Sequence, residues 1–194
     1  MLSTLRANDS KAASLRGKLT IELLALDLAT CGRCTRTDRN LDDALAKAAS
    51  VLRERMIDVE VTKHVVASSK DAERLRFVSS PTIRINGEDI ALDLRESPCE
   101  DCGELCGCEG GVSCRVWVWN GKEFLEAPTE MIVEAIIEAV DATPANRPPA
   151  PYRMPENLRT FFASLAKKDA PHGTRSRVAC CGPASQSDCC ATSE

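Results

Sequence analysis

The residues of this sequence best suited to chemistry are its cysteines. The 194-residue chain contains 11 cysteines but only 2 histidines, His64 and His172, so a metal site built from these side chains would consist almost entirely of sulfur. Thiolate ligands suit zinc, copper(I), mercury and arsenic(III) better than hard ions. The cysteines fall into three groups along the chain.

The first group is Cys31-Gly32-Arg33-Cys34. Two cysteines at this spacing can form a disulfide and exchange it with a substrate, and they can also chelate one soft ion. A structural zinc half-site and an inert pair are the alternative interpretations. The choice between them depends on the elements that flank the pair.

The second group is a cysteine- and glycine-rich segment over residues 97–114. It opens with the turn-forming pair Ser97-Pro98 and has few large apolar side chains, so we expect a loop that needs metal–thiolate bonds or disulfides as cross-links. A structural zinc clip of four thiolates and a functional soft-metal site both remain open, because the spacing does not match a two-knuckle zinc ribbon. The candidate ligands are Cys99, Cys102, Cys106, Cys108 and Cys114.

The third group lies near the C-terminus and consists of two vicinal pairs, Cys180-Cys181 and Cys189-Cys190. Adjacent cysteines bridge each other poorly because the ring is strained, but they are good paired donors for a large, soft ion. The arrangement resembles that of mercuric reductases, in which C-terminal thiols deliver Hg(II) to a buried pair. The alternative is a tail whose cysteines are incidental.

The composition excludes several classes of function. The net charge is −4 and only 7 aromatic residues are present (4 Phe, 2 Trp and 1 Tyr), so neither a basic field nor a base-stacking platform points to nucleic acid. Residues 1–19 lack the apolar core of a secretory signal, and no run is long enough for a membrane helix. We therefore predict a cytoplasmic protein whose thiols are reduced.

The hydrophobic pattern predicts an α/β order of elements around the first cysteine pair. A buried strand over residues 20–28 leads into the pair, and an amphipathic helix follows it to about Arg55. The later elements are a strand over 57–66, a helix over 69–77, a strand opened by Ser80-Pro81, a strand over 116–119, a helix over 129–140 and a short helix around 158–165.

These elements divide the chain into four parts. We predict a flexible arm over residues 1–17 and one α/β domain over 18–142 that contains the cysteine-rich loop. A proline-rich linker with a short helix follows over 143–168, since the prolines after residue 143 cannot continue a helix. Residues 169–194 lack apolar periodicity and are predicted to form a flexible tail.

Its place between a strand and a helix gives Cys31 a predicted chemical role. A sulfur at a helix N-terminus lies near unpaired backbone N–H groups and the positive end of the helix dipole, and Arg33 adds a cation. Both effects favour the thiolate. We therefore expect Cys31 to be an exposed nucleophile with a lowered pKa, and Cys34 to be the resolving thiol.

The order strand, Cys-x-x-Cys, helix, strand, helix, proline-opened strand resembles the thioredoxin superfamily over residues 18–142. The resemblance implies a thioredoxin-like α/β fold, with a central mixed sheet flanked by helices and a cis Pro81 beside Cys31 and Cys34. More narrowly, the cysteine loop and the Pro-Glu-Asn-Leu-Arg segment that starts at Pro155 resemble an uncharacterised bacterial thioredoxin-like family.

The sequence also departs from the thioredoxin pattern. Thr30 stands where that family has tryptophan, and Gly32-Arg33 replaces Gly-Pro between the cysteines. The family's buried carboxylate has an approximate counterpart in Asp27, two residues closer to the cysteine. These changes argue against general disulfide reductase activity.

Three functions fit the cysteine groups. The first is binding, transfer or transformation of a soft ion such as Hg(II) or As(III), with Cys31 and Cys34 receiving it. Carbon–mercury cleavage, as in organomercurial lyases, is a variant in which Asp27 or Asp38 donates a proton. The second is a thiol–disulfide oxidoreductase that acts on a disulfide substrate with a thiol reductant, and the third is a zinc-clipped adaptor without activity. The excess of thiols favours the first.

Removal of residues 175–194 is expected to slow the transfer of Hg(II) or As(III) to Cys31, because the paired tail thiols that capture the ion would be missing. Stopped-flow absorbance of the metal–thiolate bands measures the transfer. Equal rates for the full and the truncated chain would contradict this role of the tail.

Overall fold

The computed structural model describes residues 17–91, 93–108, 111–142 and 151–169. In chain order the elements are β1 (Gly17–Ala25), α1 (Gly32–Glu54), β2 (Ile57–Val65), α2 (Ser69–Arg74), β3 (Thr82–Ile85), β4 (Glu88–Asp89), β5 (Arg95–Cys99), α3 (Glu100–Cys106), β6 (Val112–Trp119), β7 (Lys122–Phe124), α4 (Thr129–Asp141) and α5 (Glu156–Asp169). Among the described residues, no helix combines the length and apolar character that a membrane crossing requires.

The central sheet has the strand order β2-β1-β3-β4. β1 pairs in parallel with β2, with Leu19 opposite Val59, and antiparallel with β3, with Ile21 opposite Ile85. The parallel pair requires a crossover, which α1 provides. The predicted α/β class, a mixed sheet flanked by helices, is therefore confirmed and is consistent with a thioredoxin-like fold.

The strand β1 connects two apolar cores. Its side chains Ile21 and Leu23 pack in a core with α1 and α4, where Leu41 and Ile132 are fully buried. At its carboxyl end, Leu24 and neighbouring residues join a second core that contains the cysteines. The end of β1 therefore leads the chain directly into the cysteine-rich core.

Much of the predicted cysteine loop is regular structure. The end of β5, the helix α3 and the start of β6 occupy residues 97–106 and 112–114, so the prediction of a loop is wrong for these residues. The strands β5, β6 and β7 form a second sheet in that order. The tight return after α3 depends on Gly103, because a Cβ there would lie 3.3 Å from the Gly111 Cα. Buried cysteine side chains stabilise the described part of this segment, because they pack in the core as small apolar groups.

A buried ion pair joins the two sheets. Arg115 on β6 is only 1% exposed, and its Nη2 lies 2.7 Å from Asp89 Oδ2 on β4. The same Nη2 donates to Thr82 Oγ1 at 3.1 Å, and the guanidinium carbon lies 5.2 Å from the ring centroid of Trp117. The Asp89 carboxylate thus neutralises the Arg115 guanidinium. Without this counter-charge the burial of Arg115 would be costly.

The Asp89→Ala substitution is expected to lower the free energy of unfolding by about 3 kcal/mol, because it leaves the Arg115 guanidinium buried without its counter-charge. Urea denaturation followed by tryptophan fluorescence measures the change. The matched control is Glu88→Ala on the same short strand, where the side chain is exposed. Equal stabilities of the two variants would contradict this role of the ion pair.

Candidate functional site

The structure brings the first two cysteine groups together in one place. Cys31 Sγ lies 3.9 Å from Cys99 Sγ and 3.8 Å from Cys102 Sγ, and the three sulfurs all lie within 4.8 Å of one another. All three side chains are buried. We call these three residues the trithiol site.

Two further cysteines contact the trithiol site. Cys114 on β6 and Cys34 in α1 are buried in the same core, where Cys114 shifts the pKa of Cys99 and Cys102, and Cys34 shifts that of Cys31. Both are buried, and all five cysteines are free thiols. We call this set of five the thiol cluster. Its members come from the start of α1, the end of β5, α3 and β6.

Asp27 positions the residue that leads into α1. Its carboxylate accepts hydrogen bonds from the backbone N–H groups of Ala29 at 2.8 Å, Thr30 at 2.9 Å and Cys31 at 2.7 Å. Partial burial raises the pKa of Asp27, but the hydrogen bonds from Thr30, Ala29 and Cys31 outweigh it and lower the pKa overall. An ionised, fully engaged carboxylate is a poor proton donor.

The other predicted proton donor, Asp38, is engaged elsewhere. Its Oδ1 lies 2.5 Å from Lys63 Nζ, so it forms an ion pair that joins α1 to β2. The geometry therefore gives no support to Asp27 or Asp38 as the acid in carbon–mercury cleavage.

Two contacts hold β5 and α3 against the start of α1. The backbone N–H of Gly32 donates to Asp101 Oδ2 at 2.7 Å. Arg33 donates through Nη1 to the Ser97 carbonyl at 3.3 Å and hydroxyl at 3.0 Å, and through Nη2 to the Pro98 carbonyl at 2.6 Å. These bonds fix Cys99 and Cys102, which follow directly in the chain, beside Cys31.

The prediction that Cys31 is an exposed, readily ionised nucleophile is wrong. The residue is fully buried. A hydrogen bond with Cys102 lowers its pKa, but hydrogen bonds with Cys34 and Cys99, together with burial, raise the pKa overall. The two groups that were expected to stabilise a Cys31 thiolate are already engaged. The N–H groups at the start of α1 donate to the carboxylates of Asp27 and Asp101, and the Arg33 guanidinium is bound to β5.

The thiolate character resides on other members of the thiol cluster. Hydrogen bonds with Cys102 and Cys31 lower the pKa of Cys34 to about 4, although burial raises it. The pKa of Cys99 is also lowered, first by Cys102 and then by Cys114. The pKa of Cys102 is raised, chiefly by its hydrogen bond with Cys114. The lowered pKa is thus found at Cys34 and Cys99 and not at Cys31, for which the sequence predicted it.

The remaining predicted ligands do not join the thiol cluster. Cys106 and Cys108 form a disulfide with each other, and in this oxidised form they are not free to ligate a metal. The two tail pairs, Cys180-Cys181 and Cys189-Cys190, lie outside the described residues.

Ser80 is a site residue that the sequence analysis missed. The Ser80–Pro81 peptide bond is cis, as the resemblance implied. The Ser80 hydroxyl lies 3.4 Å from Cys34 Sγ and accepts from the Leu26 N–H at 3.0 Å, while its carbonyl accepts from the Arg115 N–H at 2.7 Å. Its position directly before Pro81 was the available signal.

The helix α5 covers the thiol cluster. Leu158, Phe161 and Phe162 pack in the same core as the five thiols. Lys168 Nζ near the end of α5 donates to the Leu105 carbonyl at 3.0 Å and to the Glu104 carbonyl at 3.2 Å, which anchors the helix on α3. The sequence predicted this helix but gave no sign that it lies over the cysteines.

The chain was compared with known proteins. Residues 19–136 match the family model described as Domain of unknown function (DUF2703). No curated protein and no solved structure matches the chain. The matched residues make up more than half of the chain and include all five members of the thiol cluster, whereas α5 lies beyond them. The chain therefore belongs to the family Domain of unknown function (DUF2703).

Proposed function

We propose that this protein binds one soft metal or metalloid ion, such as As(III) or Hg(II), through the buried thiols of Cys31, Cys99 and Cys102. The observation that carries the proposal is the mutual approach of three buried sulfurs to within 4.8 Å. Isolated buried thiols pack as small hydrophobes and need no such convergence.

The sulfur separations fit a single central ion. A tetrahedral site with metal–sulfur distances of about 2.3 Å has sulfur–sulfur edges of about 3.8 Å. The Cys31–Cys102 and Cys31–Cys99 separations of 3.8 and 3.9 Å are close to that value. The three sulfurs therefore need little movement to reach a common ion.

The surroundings of the site favour a neutral complex. Burial of a net charge in an apolar core is costly. The side chains around the thiols include Phe77, Met154 and Phe161, and the neighbouring Arg33 is committed to β5. As(III) with three thiolates is neutral, and Hg(II) is neutral when only two of the three sulfurs bind it as thiolates, whereas zinc with three or four thiolates carries negative charge. Burial in an apolar core therefore favours the metalloid or mercury over zinc.

A structural zinc site is the second candidate. Cys34 and Cys114 each place a further sulfur beside the trithiol site, so the cluster offers the four thiolates of a structural zinc centre. In that case the protein would be the zinc-clipped adaptor, and the ion would stabilise the fold without turnover.

We also propose kinship with the thioredoxin superfamily and a cytoplasmic location. The order of elements and the cis Ser80–Pro81 bond support the kinship. The burial of Cys31 argues against a thiol–disulfide oxidoreductase that attacks large disulfide substrates through that residue, because such a substrate has no access to its sulfur.

Native mass spectrometry of the reduced chain with arsenite, Hg(II) or Zn(II) distinguishes these candidates. We expect one tightly bound As(III) or Hg(II), and displacement of Zn(II) by either ion. Zinc that stays bound in the presence of excess arsenite would favour the structural zinc site. A reduced protein that binds none of the three ions would refute the proposal.

Substitution of any one member of the trithiol site, as in Cys31→Ser, Cys99→Ser or Cys102→Ser, is expected to weaken arsenite binding by at least about 100-fold, which corresponds to roughly 3 kcal/mol. The cause is the loss of one of three sulfur–arsenic bonds. Ultraviolet titration of the arsenic–thiolate band measures the affinity. In excess reductant, Cys108→Ser is the control and should bind within about twofold of the parent. Unchanged affinity in all three cluster variants would contradict the assignment.

The Phe161→Ala substitution is expected to expose the thiol cluster by loosening α5. We expect a loss of about 3 kcal/mol in unfolding free energy, and faster reaction of the cluster thiols with a disulfide reagent in native buffer. The control is Thr160→Ala, an exposed position in the same helix. Equal labelling rates in the two variants would show that α5 does not limit access to the cluster.

A further inference from the structure

The helix α3 carries cysteines from both the thiol cluster and the disulfide. Cys102 and Cys106 are four residues apart in this helix, and both are buried in the same core. Residues at this spacing lie on one face of a helix, with their Cβ atoms about 5–6 Å apart. Cys106 therefore lies on the same face of α3 as Cys102, one turn further along the helix that supplies one member of the trithiol site.

The disulfide partner of Cys106 lies nearer to the surface. Gly107 caps the end of α3 and turns the chain with a φ of 63°. The Cys108 N–H then donates back to the Gly103 carbonyl at 3.0 Å. Cys108 is only partly buried, whereas the five thiols of the cluster are at most 3% exposed. Of the cysteines in the described ranges, Cys108 is thus the one that a thiol in solution can reach most readily.

The described cysteines also differ in oxidation state. Cys106 and Cys108 are joined, while all members of the thiol cluster are free. A disulfide with one buried and one partly buried cysteine therefore shares this core with a set of reduced thiols. This juxtaposition is what intramolecular disulfide exchange requires, because attack on a disulfide needs an adjacent sulfur.

We infer that the Cys106–Cys108 pair is a thiol–disulfide exchange site through which small thiols and disulfides in solution set the oxidation state of the buried trithiol site. The inference rests on the proposed function, since it concerns control of the same ion site. The chemical class of its external substrate is a small thiol or disulfide such as glutathione.

The exchange proceeds in two balanced steps. First, the Cys102 sulfur attacks Cys106 Sγ: the Cys102–Cys106 bond forms, the Cys106–Cys108 bond breaks, and the Cys108 sulfur takes up the proton that Cys102 loses. Second, Cys31 attacks Cys102 Sγ, which lies 3.8 Å away: the Cys31–Cys102 bond forms, the Cys102–Cys106 bond breaks, and the Cys106 sulfur takes up the proton that Cys31 loses. These two steps move one disulfide inward without an oxidant. The oxidising equivalent enters beforehand, when oxidised glutathione converts the Cys106 and Cys108 thiols into their disulfide and leaves as two reduced glutathione molecules.

Ion binding and bridge position are therefore linked. With the bridge at Cys31–Cys102, only Cys99 of the trithiol site remains free, so this site can no longer hold an ion through its three sulfurs. An ion present at 100 times its dissociation constant is expected to shift the ratio of the two bridged forms about 100-fold towards Cys106–Cys108.

The test uses the full-length chain with Cys180, Cys181, Cys189 and Cys190 replaced by serine, which confines exchange to the described cysteines. The chain is reduced, given one equivalent of oxidised glutathione, equilibrated with or without arsenite, quenched in acid and alkylated. Peptide mass spectrometry then identifies the bridged cysteines. We expect both bridges without arsenite and a shift of about 100-fold towards Cys106–Cys108 with it. A bridge that stays at Cys106–Cys108 in both conditions would overturn the inference.

The matched variant adds Cys106→Ala and Cys108→Ala to the same background. If the outer pair is the exchange site, oxidised glutathione should form the Cys31–Cys102 bridge at least about tenfold more slowly in this variant. An equal rate would overturn the inference. Arsenite affinity in excess reductant tests the proposed function separately. A chain that moves its bridge but binds no arsenite would disprove the ion site and leave the exchange intact.

Discussion

The contact between the first turn of α1 and the segment that joins β5 to α3 brings the cysteines of these two parts of the chain together, and the rest of the site depends on it. Asp101 binds the Gly32 N–H, and Arg33 binds the backbone of residues 97–98. Each bond is formed by a residue next to or near a cysteine, so the two segments cannot meet without their sulfurs meeting too. The thiol cluster is thus a consequence of how two distant parts of the chain dock.

The same contact explains why the site resembles a metal centre more than a redox active site. A cysteine at a helix N-terminus gains nucleophilicity from unpaired N–H groups. Here the carboxylates of Asp27 and Asp101 accept from those groups, and the neighbouring guanidinium is bound to carbonyl oxygens. The helix terminus therefore does not activate Cys31. The adjacent sulfurs instead shift one another's pKa values, so that Cys34 has a low pKa and Cys31 a high one.

The fold separates the ligands of the site from its cover. All five thiols lie within the part of the chain that matches the DUF2703 family, while α5 lies beyond it. The apolar residues of α5 nevertheless complete the core around the thiols, and Lys168 ties the helix to the end of α3. The five thiols therefore belong to the part of the chain that the family model matches, whereas their burial also involves α5, which lies beyond that part.

The amino-acid sequence alone determined the order of the main elements and the sulfur-rich composition of the site. Apolar periodicity located α1, β2 and α4 within a few residues, and the abundance of sulfur with few histidines predicted soft-ion chemistry. Both are local properties of composition and spacing. Which sulfurs converge was settled by long-range docking, because Cys31 and Cys99 are separated by 68 residues and no local pattern reports their contact. The same docking made α3 a helix where glycine and cysteine content suggested a loop. The cysteine side chains of α3 pack against α5 and β6, and this burial stabilises a segment that has few large apolar residues of its own.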